Sequence, residues 1–312
     1  MPERIWMGAA DEDEPQFETA YVNTQYSPSM ILARSLIISL AIATVLVSPL
    51  YGQTIPQAEE PAIQTAVIRG QLLYAYDQAA WHGTDALLAD AKARGLADSL
   101  PTRIGGWIVH GTANNPVVIF FDKGGSDPHA IFAAQFADGG RRVRSSHFYT
   151  AGEDATIDAE TKSLIQARQV ALASFDKANL PRCSKGKFNT VVLPPDRPGG
   201  SILVYILSPQ DVTDKIPFGG NYRVEVSNDK TAGPIHAFTK SCVVLSTSDV
   251  DGNKTVGLYV TQIVDPLPTE ISVFAMFTAN LPLYVLAPPD KRVWKVEAVN
   301  GQARIGVVSV VP

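Results

Sequence analysis

The chain has 312 residues, 46% of them hydrophobic and 18% charged, which is too apolar for a disordered polymer and free of any fibre-like bias. Its formal charge is −5, from 26 Lys and Arg against 31 Asp and Glu, and the densest basic cluster is Arg141, Arg142 and Arg144. That balance lacks the electrostatic footprint of a nucleic-acid-binding protein, so nucleic acid is excluded as a leading partner.

Residues 1–29 are acidic and polar, carrying Glu3, Asp11, Glu12, Asp13, Glu14 and Glu18. This is the wrong flank for an export signal, and Met30 makes the better start, so 1–29 is read as an extension from a mis-assigned start. Residues 30–52 have the pattern of a secretory signal peptide: Arg34, a charge-free run from Leu36 to Val47, then Ser48-Pro49 and small residues up to Gly52. The apolar run is about 12 residues, short of the roughly 20 that cross a bilayer core. Cleavage after Gly52 removes six acids and two bases, leaving 25 acids against 24 bases, a net charge of about −1. The expected location is periplasmic or extracellular, with membrane attachment only if the segment stays uncleaved as an anchor.

A linker, 53–60, leads into an α+β domain spanning 61–312. Ile63, Val67, Gly70, Tyr74 and Trp81 recur at helical spacing. Gly83 and Thr84 then read as a break and an N-cap, with Gly95 closing a second helix. A helical hairpin is therefore predicted at the start of the domain. From Gly105 the pattern turns to short β-rich runs, 107–110, 116–121, 130–136 and 142–149, separated by Asn114-Asn115, Gly124-Gly125 and Gly139-Gly140; this predicts a meander of about four strands. A helix over 157–176 follows, with Leu164, Ala167, Ala171 and Phe175 on one stripe and Leu180-Pro181 stopping it.

The rest reads as β: 188–193, 201–207, 222–226, 237–245, 256–263, 270–277, 283–286, 292–299 and 303–308. The short spacings favour antiparallel pairing. The predicted architecture is thus antiparallel β-meanders on either side of one long central helix, as one domain or as two subdomains, 61–150 and 180–312. Cys183 and Cys242 both lie in the part expected to reach an oxidising compartment, and a disulfide between them closes a loop of 60 residues counting both ends. A catalytic thiol is the alternative, and it would need a base partner.

Around Pro217-Phe218-Gly219-Gly220-Asn221-Tyr222-Arg223, again at Phe238-Thr239-Lys240-Ser241-Cys242, and in the hairpin around Trp294, the chain resembles a group of exported proteobacterial proteins. The match lies within 216–242 and 283–299. The resemblance implies export but carries no activity with it. Relatives are expected to hold a histidine where this chain has Asn221, which argues against a catalytic role at that position.

Candidate chemical groups are few. Asp77 shares the stripe of Tyr74 and Trp81, and a carboxyl turned to that apolar side would have a raised pKa and be a functional candidate; a cap or a partner for an arginine is preferred. His82 stands three residues before Asp85, but the expected break at Gly83 spoils a shared face, and a surface or capping histidine is preferred. Asp127-Pro128-His129 lies in a Gly-rich turn, where a tight turn is preferred over a functional loop. Asp249 to Asn253 echoes a calcium loop, but Val260 stands at the twelfth position, and a turn at Asp251-Gly252 explains it better. Tyr74, Tyr76 and Trp81 are read as core in preference to a sugar platform. The five histidines are dispersed, and no Gly-x-Ser-x-Gly, phosphate-loop or dinucleotide motif is present. No cofactor or metal is expected.

Whether the chain is an enzyme is left open. A binding or envelope-associated exported protein ranks first. An exported hydrolase with a dispersed His/Asp site drawn from Asp77, His82, Asp127 and His129 is the alternative. An oligomeric structural protein pairing through a strand edge near the C-terminus is the third.

Overall fold

The first helix, α1 (Glu60–Ala93), starts with an acidic residue and Pro61 in its first turn, both suited to a helix N-terminus. It ends at Arg94, with Gly95 in the left-handed region at φ 68°. The computed structural model describes residues 55–310, apart from 126, 249–253 and 290, and only the backbone of 309 and 310. The acidic extension, the signal segment, the start of the linker and the turn at Asp251-Gly252 lie outside the described residues.

α1 is one continuous helix, which corrects the expected hairpin. Gly83 does not break it because that glycine is buried against the sheet: a Cβ there would sit 2.6 Å from Val118 Cγ1. Thr84 caps nothing, since its hydroxyl donates to the Ala80 carbonyl one turn back, at 2.8 Å. Gly70 has a similar role towards another helix, where a Cβ would meet Val273 Cβ at 2.4 Å. Both glycines let α1 approach its neighbours closely, and tertiary contact outweighs their low helix propensity.

A short helical turn, α2 (Leu100–Arg103), leads into β1 (Ile104–Gly111), β2 (Pro116–Asp122), β3 (Ala130–Ala137) and β4 (Arg142–Phe148). These pair antiparallel in chain order. One face of this first sheet, with Val118, Phe120, Phe132 and Phe136, joins the core that includes α1. Next comes α3 (Ala159–Ala178). Its N-cap, Asp158, accepts from the Thr161 N–H at 2.7 Å, and Asn179 at φ 48° ends it. Leu164, Ala167, Ala171 and Phe175 form its buried stripe.

The second sheet has the order β5 (Asn189–Leu193), β6 (Ile202–Leu207), β8 (Tyr222–Val226), β9 (Ala232–Ala237), all antiparallel. Every residue of β6 is buried, because both faces of this sheet are covered. Val192, Val204, Ile206 and Val224 share a core with α3. Val191, Leu203, Tyr205 and Leu207 belong instead to the larger core that holds α1. A two-stranded ribbon, β7 (Lys215–Pro217) with β10 (Val244–Ser246), stands beside it. Cys183 and Cys242 lie at disulfide distance, with Cα atoms 5.2 Å apart.

The third sheet runs β11 (Leu258–Thr261), β12 (Leu283–Ala287), β13 (Arg292–Val299), β14 (Gln302–Val310). Its first pair is parallel and the others are antiparallel. A parallel pair needs a crossover, and α4 (Glu270–Ala279) supplies it where a strand over 270–277 was expected. The β-branched and aromatic residues of that run suggested a strand, but Thr269 and Ser272 form a reciprocal cap and Asn280 closes the far end at φ 50°. The architecture is mixed α+β. The larger core draws on residues from Ile63 to Val307, so both halves of the domain contribute to it.

Candidate functional site

The strands of the second sheet align polar side chains that lie far apart in sequence. Register places Tyr205 opposite Arg223 and Arg223 opposite His236, so one residue from each of β6, β8 and β9 forms a row on the same face. Glu270, the first residue of α4 and only 5% exposed, meets this row. The Tyr205 hydroxyl donates to Glu270 Oε1 at 2.8 Å, and Arg223 Nη1 donates to the same oxygen. The other end of the guanidinium faces Glu225, with Nη2 3.3 Å from Oε1. Arg223 Nε is buried without a hydrogen-bond partner.

An aromatic floor supports these groups. Phe238 lies parallel to Tyr205, with ring centres 6.3 Å apart, and the Arg223 guanidinium sits 5.7 Å above the Phe238 ring. His236 meets Phe238 edge-on at 4.8 Å. Its Nε2 lies 3.2 Å from Asp265 Oδ2, and both side chains are partly open to solvent. Asp265 belongs to the loop between β11 and α4, which Gln262 braces by donating from Nε2 to the carbonyls of Asp265 and Leu267. Burial, then the Glu270 charge, drives the Tyr205 phenol well above its ordinary pKa, so it stays protonated and can only donate to that carboxylate. Burial is the strongest single influence on Arg223 and works against its charge, but the Glu270 charge and hydrogen bond together with its other neighbours, Glu225 among them, outweigh it and raise the pKa, so the guanidinium stays charged.

Asp77 sits elsewhere. Asn189 Nδ2, at the start of β5, donates to its Oδ1 at 2.7 Å. Burial raises the carboxyl to about 6, against the lowering effect of hydrogen bonds from Asn189 and Gln78. A narrow crevice between β1 and β5, with about 10 Å³ of internal space, is lined by Tyr76, Trp107, Ile108, Val109 and residues 190–192. The Tyr76 hydroxyl donates to the Gly111 carbonyl, and Arg168 Nε donates to Thr190 Oγ1.

The other expected groups have separate partners. His82 is stacked under Trp81 at 4.7 Å, and burial lowers its pKa against the pull of Asp85. Because α1 is unbroken, His82 and Asp85 do share a face, three residues apart. Asp127 pairs with Lys162 at 2.6 Å, and the backbone of His129 bridges to Thr156 while its N–H donates to Asp122 Oδ1. Among the described residues, no hydrogen bond or ion pair joins Asp77, His82, Asp127 and His129 to one another. Tyr74, Tyr76 and Trp81 form no platform: Tyr76 is fully buried, Tyr74 stacks on Phe277 and Trp81 is half exposed. Among the described residues no cluster of three or more His, Cys, Asp and Glu is placed to hold a metal.

Asn221 is buried and structural. Its Oδ1 accepts from the Ser208 N–H, and its Nδ2 donates to the carbonyls of Pro217 and Phe218. The Pro217–Arg223 segment therefore braces the loop that passes the disulfide, where a Cβ on Gly220 would lie 2.7 Å from Cys183 Sγ. The sequence gives no sign of this group, because strand register alone brings Tyr205, Arg223 and His236 together, and the packing of α4 and the loop before it brings Glu270 and Asp265 to them; sequence spacing carries neither. No protein-family model matches the chain, and no curated protein matches it.

Proposed function

We propose that the chain is an exported binding or envelope-associated protein that acts through its surface. The observation that supports this most is the mutual commitment of its central ionic groups. Glu270 is shared by Tyr205 and Arg223, so these side chains tie the second sheet to α4 and hold a rigid frame beneath the surface. The crevice at the β1–β5 seam holds about 10 Å³, room for about one water molecule, so the reading does not rest on it. A Cys183–Cys242 pair at disulfide distance fits an oxidising compartment. No helix among the described residues is long and apolar enough to cross a membrane.

Fractionating cells that express the full chain tests this reading. It expects a product lacking residues 1–52 in the periplasmic or extracellular fraction, cosedimenting with purified cell envelope. A full-length cytosolic product with reduced thiols overturns it.

One observation favours an exported hydrolase as the second reading. His236 and Asp265 have the separation of a base and its orienting acid, and both reach solvent. Hydrolysis of ester or amide substrates that His236→Ala abolishes, with the melting temperature unchanged, would establish it in place of the first.

A further inference from the structure

We infer that the outer edge of β4 is a docking strand for an extended acidic polypeptide segment, which it takes up as a fifth strand of the first sheet. This deepens the binding reading above, on which it rests, by giving the partner's chemistry. β4 is the last strand in the order of that sheet, and every residue from Arg142 to His147 is exposed. Its inner side pairs with β3. Among the described residues, no backbone hydrogen bond leaves its outer side. Such an edge is a template for another strand, because each unpaired N–H and C=O gains a partner when one is added.

The charge on the edge selects the occupant. Arg141, Arg142 and Arg144, the densest basic cluster of the chain, are crowded at the start of this strand. Arg142 Nε is held by Asp138 at 2.7 Å, while Arg144 makes no hydrogen bond or ion pair among the described residues. Val143 lies opposite Phe136 and Ser145 opposite Gln135, so Arg144 is the extra residue of a bulge. Charge and bulge together guard the edge against copies of itself: in-register parallel pairing of two β4 strands sets arginines against arginines, and the bulge interrupts the ladder in either direction. They do not guard against carboxylates. Glutamates at alternate positions of an incoming strand turn the same charges into attraction and steer the encounter.

The test titrates the purified full chain into a fluorescently labelled ten-residue peptide of alternating Glu and Thr, read by anisotropy. Parallel titrations use the same peptide with Lys for Glu, and with Pro for alternate Thr. The site predicts binding of the Glu peptide that weakens as salt is raised, and no binding of the Lys or Pro peptides. Arg144→Glu should weaken binding by about tenfold and Arg144→Gln by less, both with wild-type melting curves. Absence of binding, equal affinity of wild type and Arg144→Glu, or equal binding of the Pro peptide overturns the proposal. So does a wild-type dimer that Val143→Pro converts to monomer, since the edge would then belong to a second copy. If the peptide fails while the chain still cosediments with envelope, the docking strand falls and the binding reading stands. If the peptide binds and cosedimentation fails, the docking strand stands without the envelope.

Discussion

Replacing Asp77 with asparagine should stabilise the protein at neutral pH. The folded carboxyl titrates near 6, against an ordinary value of 3.8. Between those values the folded chain holds a proton that the unfolded chain has released, so stability falls as pH rises through that window and levels off above it. A full shift of that size corresponds to about 3 kcal/mol. Asp77 keeps intermediate exposure as a residue, so about 1–3 kcal/mol is the expected gain once solvent relaxation is allowed for. The substituted amide retains an oxygen that accepts from Asn189 Nδ2, so the bond across to β5 survives the change. Urea unfolding of wild type and Asp77→Asn at pH 4 and pH 8 isolates the effect, because all other titrating groups are common to both proteins. The variant should be more stable at pH 8 and nearly equal at pH 4. A variant that is less stable at pH 8, or a difference that does not change with pH, refutes the burial argument.

Three further variants probe the frame. Replacing Cys183 and Cys242 with Ser removes the closure of a 60-residue loop and should cost about 4 kcal/mol, measured by denaturant unfolding with and without reductant. Wild type under reductant should approach the double variant. Gly83→Ala brings a methyl within 2.6 Å of Val118 Cγ1 and should cost about 1–3 kcal/mol despite alanine's better helix propensity, whereas a helix break at Gly83 would predict a gain. Arg223→Ala strands Glu270 among apolar neighbours with Tyr205 as its remaining donor and should cost about 3–5 kcal/mol; a loss below about 1 kcal/mol in thermal unfolding would show that the Arg223–Glu270 pair is dispensable.

Local patterns were sufficient where an element's residues interact mainly with their own neighbours in sequence. The stripe of Leu164, Ala167, Ala171 and Phe175 identifies α3, and Asn114-Asn115 and Gly139-Gly140 punctuate β1 to β4. Gly83 misleads because glycine marks both a helix break and a close approach, and only the position of Val118 tells the two apart. The run 270–277 misleads because its side chains suit a strand; the pairing of β11 with β12 in parallel required a crossover, and the Thr269–Ser272 cap supplied its start. Asp77 was legible as an acid on an apolar stripe, and its partner Asn189, 112 residues away, was not.

By itself the sequence determined the mixed helix and strand content, the acidic balance and the presence of two cysteines that could meet, because composition and short-range periodicity are local properties. Tertiary structure decided which side chains form a group. Tyr205, Arg223 and His236 share a row because β6, β8 and β9 take one antiparallel register, and a slip of one residue would turn each of them to the opposite face. That register is set by burial on both faces of the sheet, a constraint that exists only once α1, α3 and α4 have packed against it.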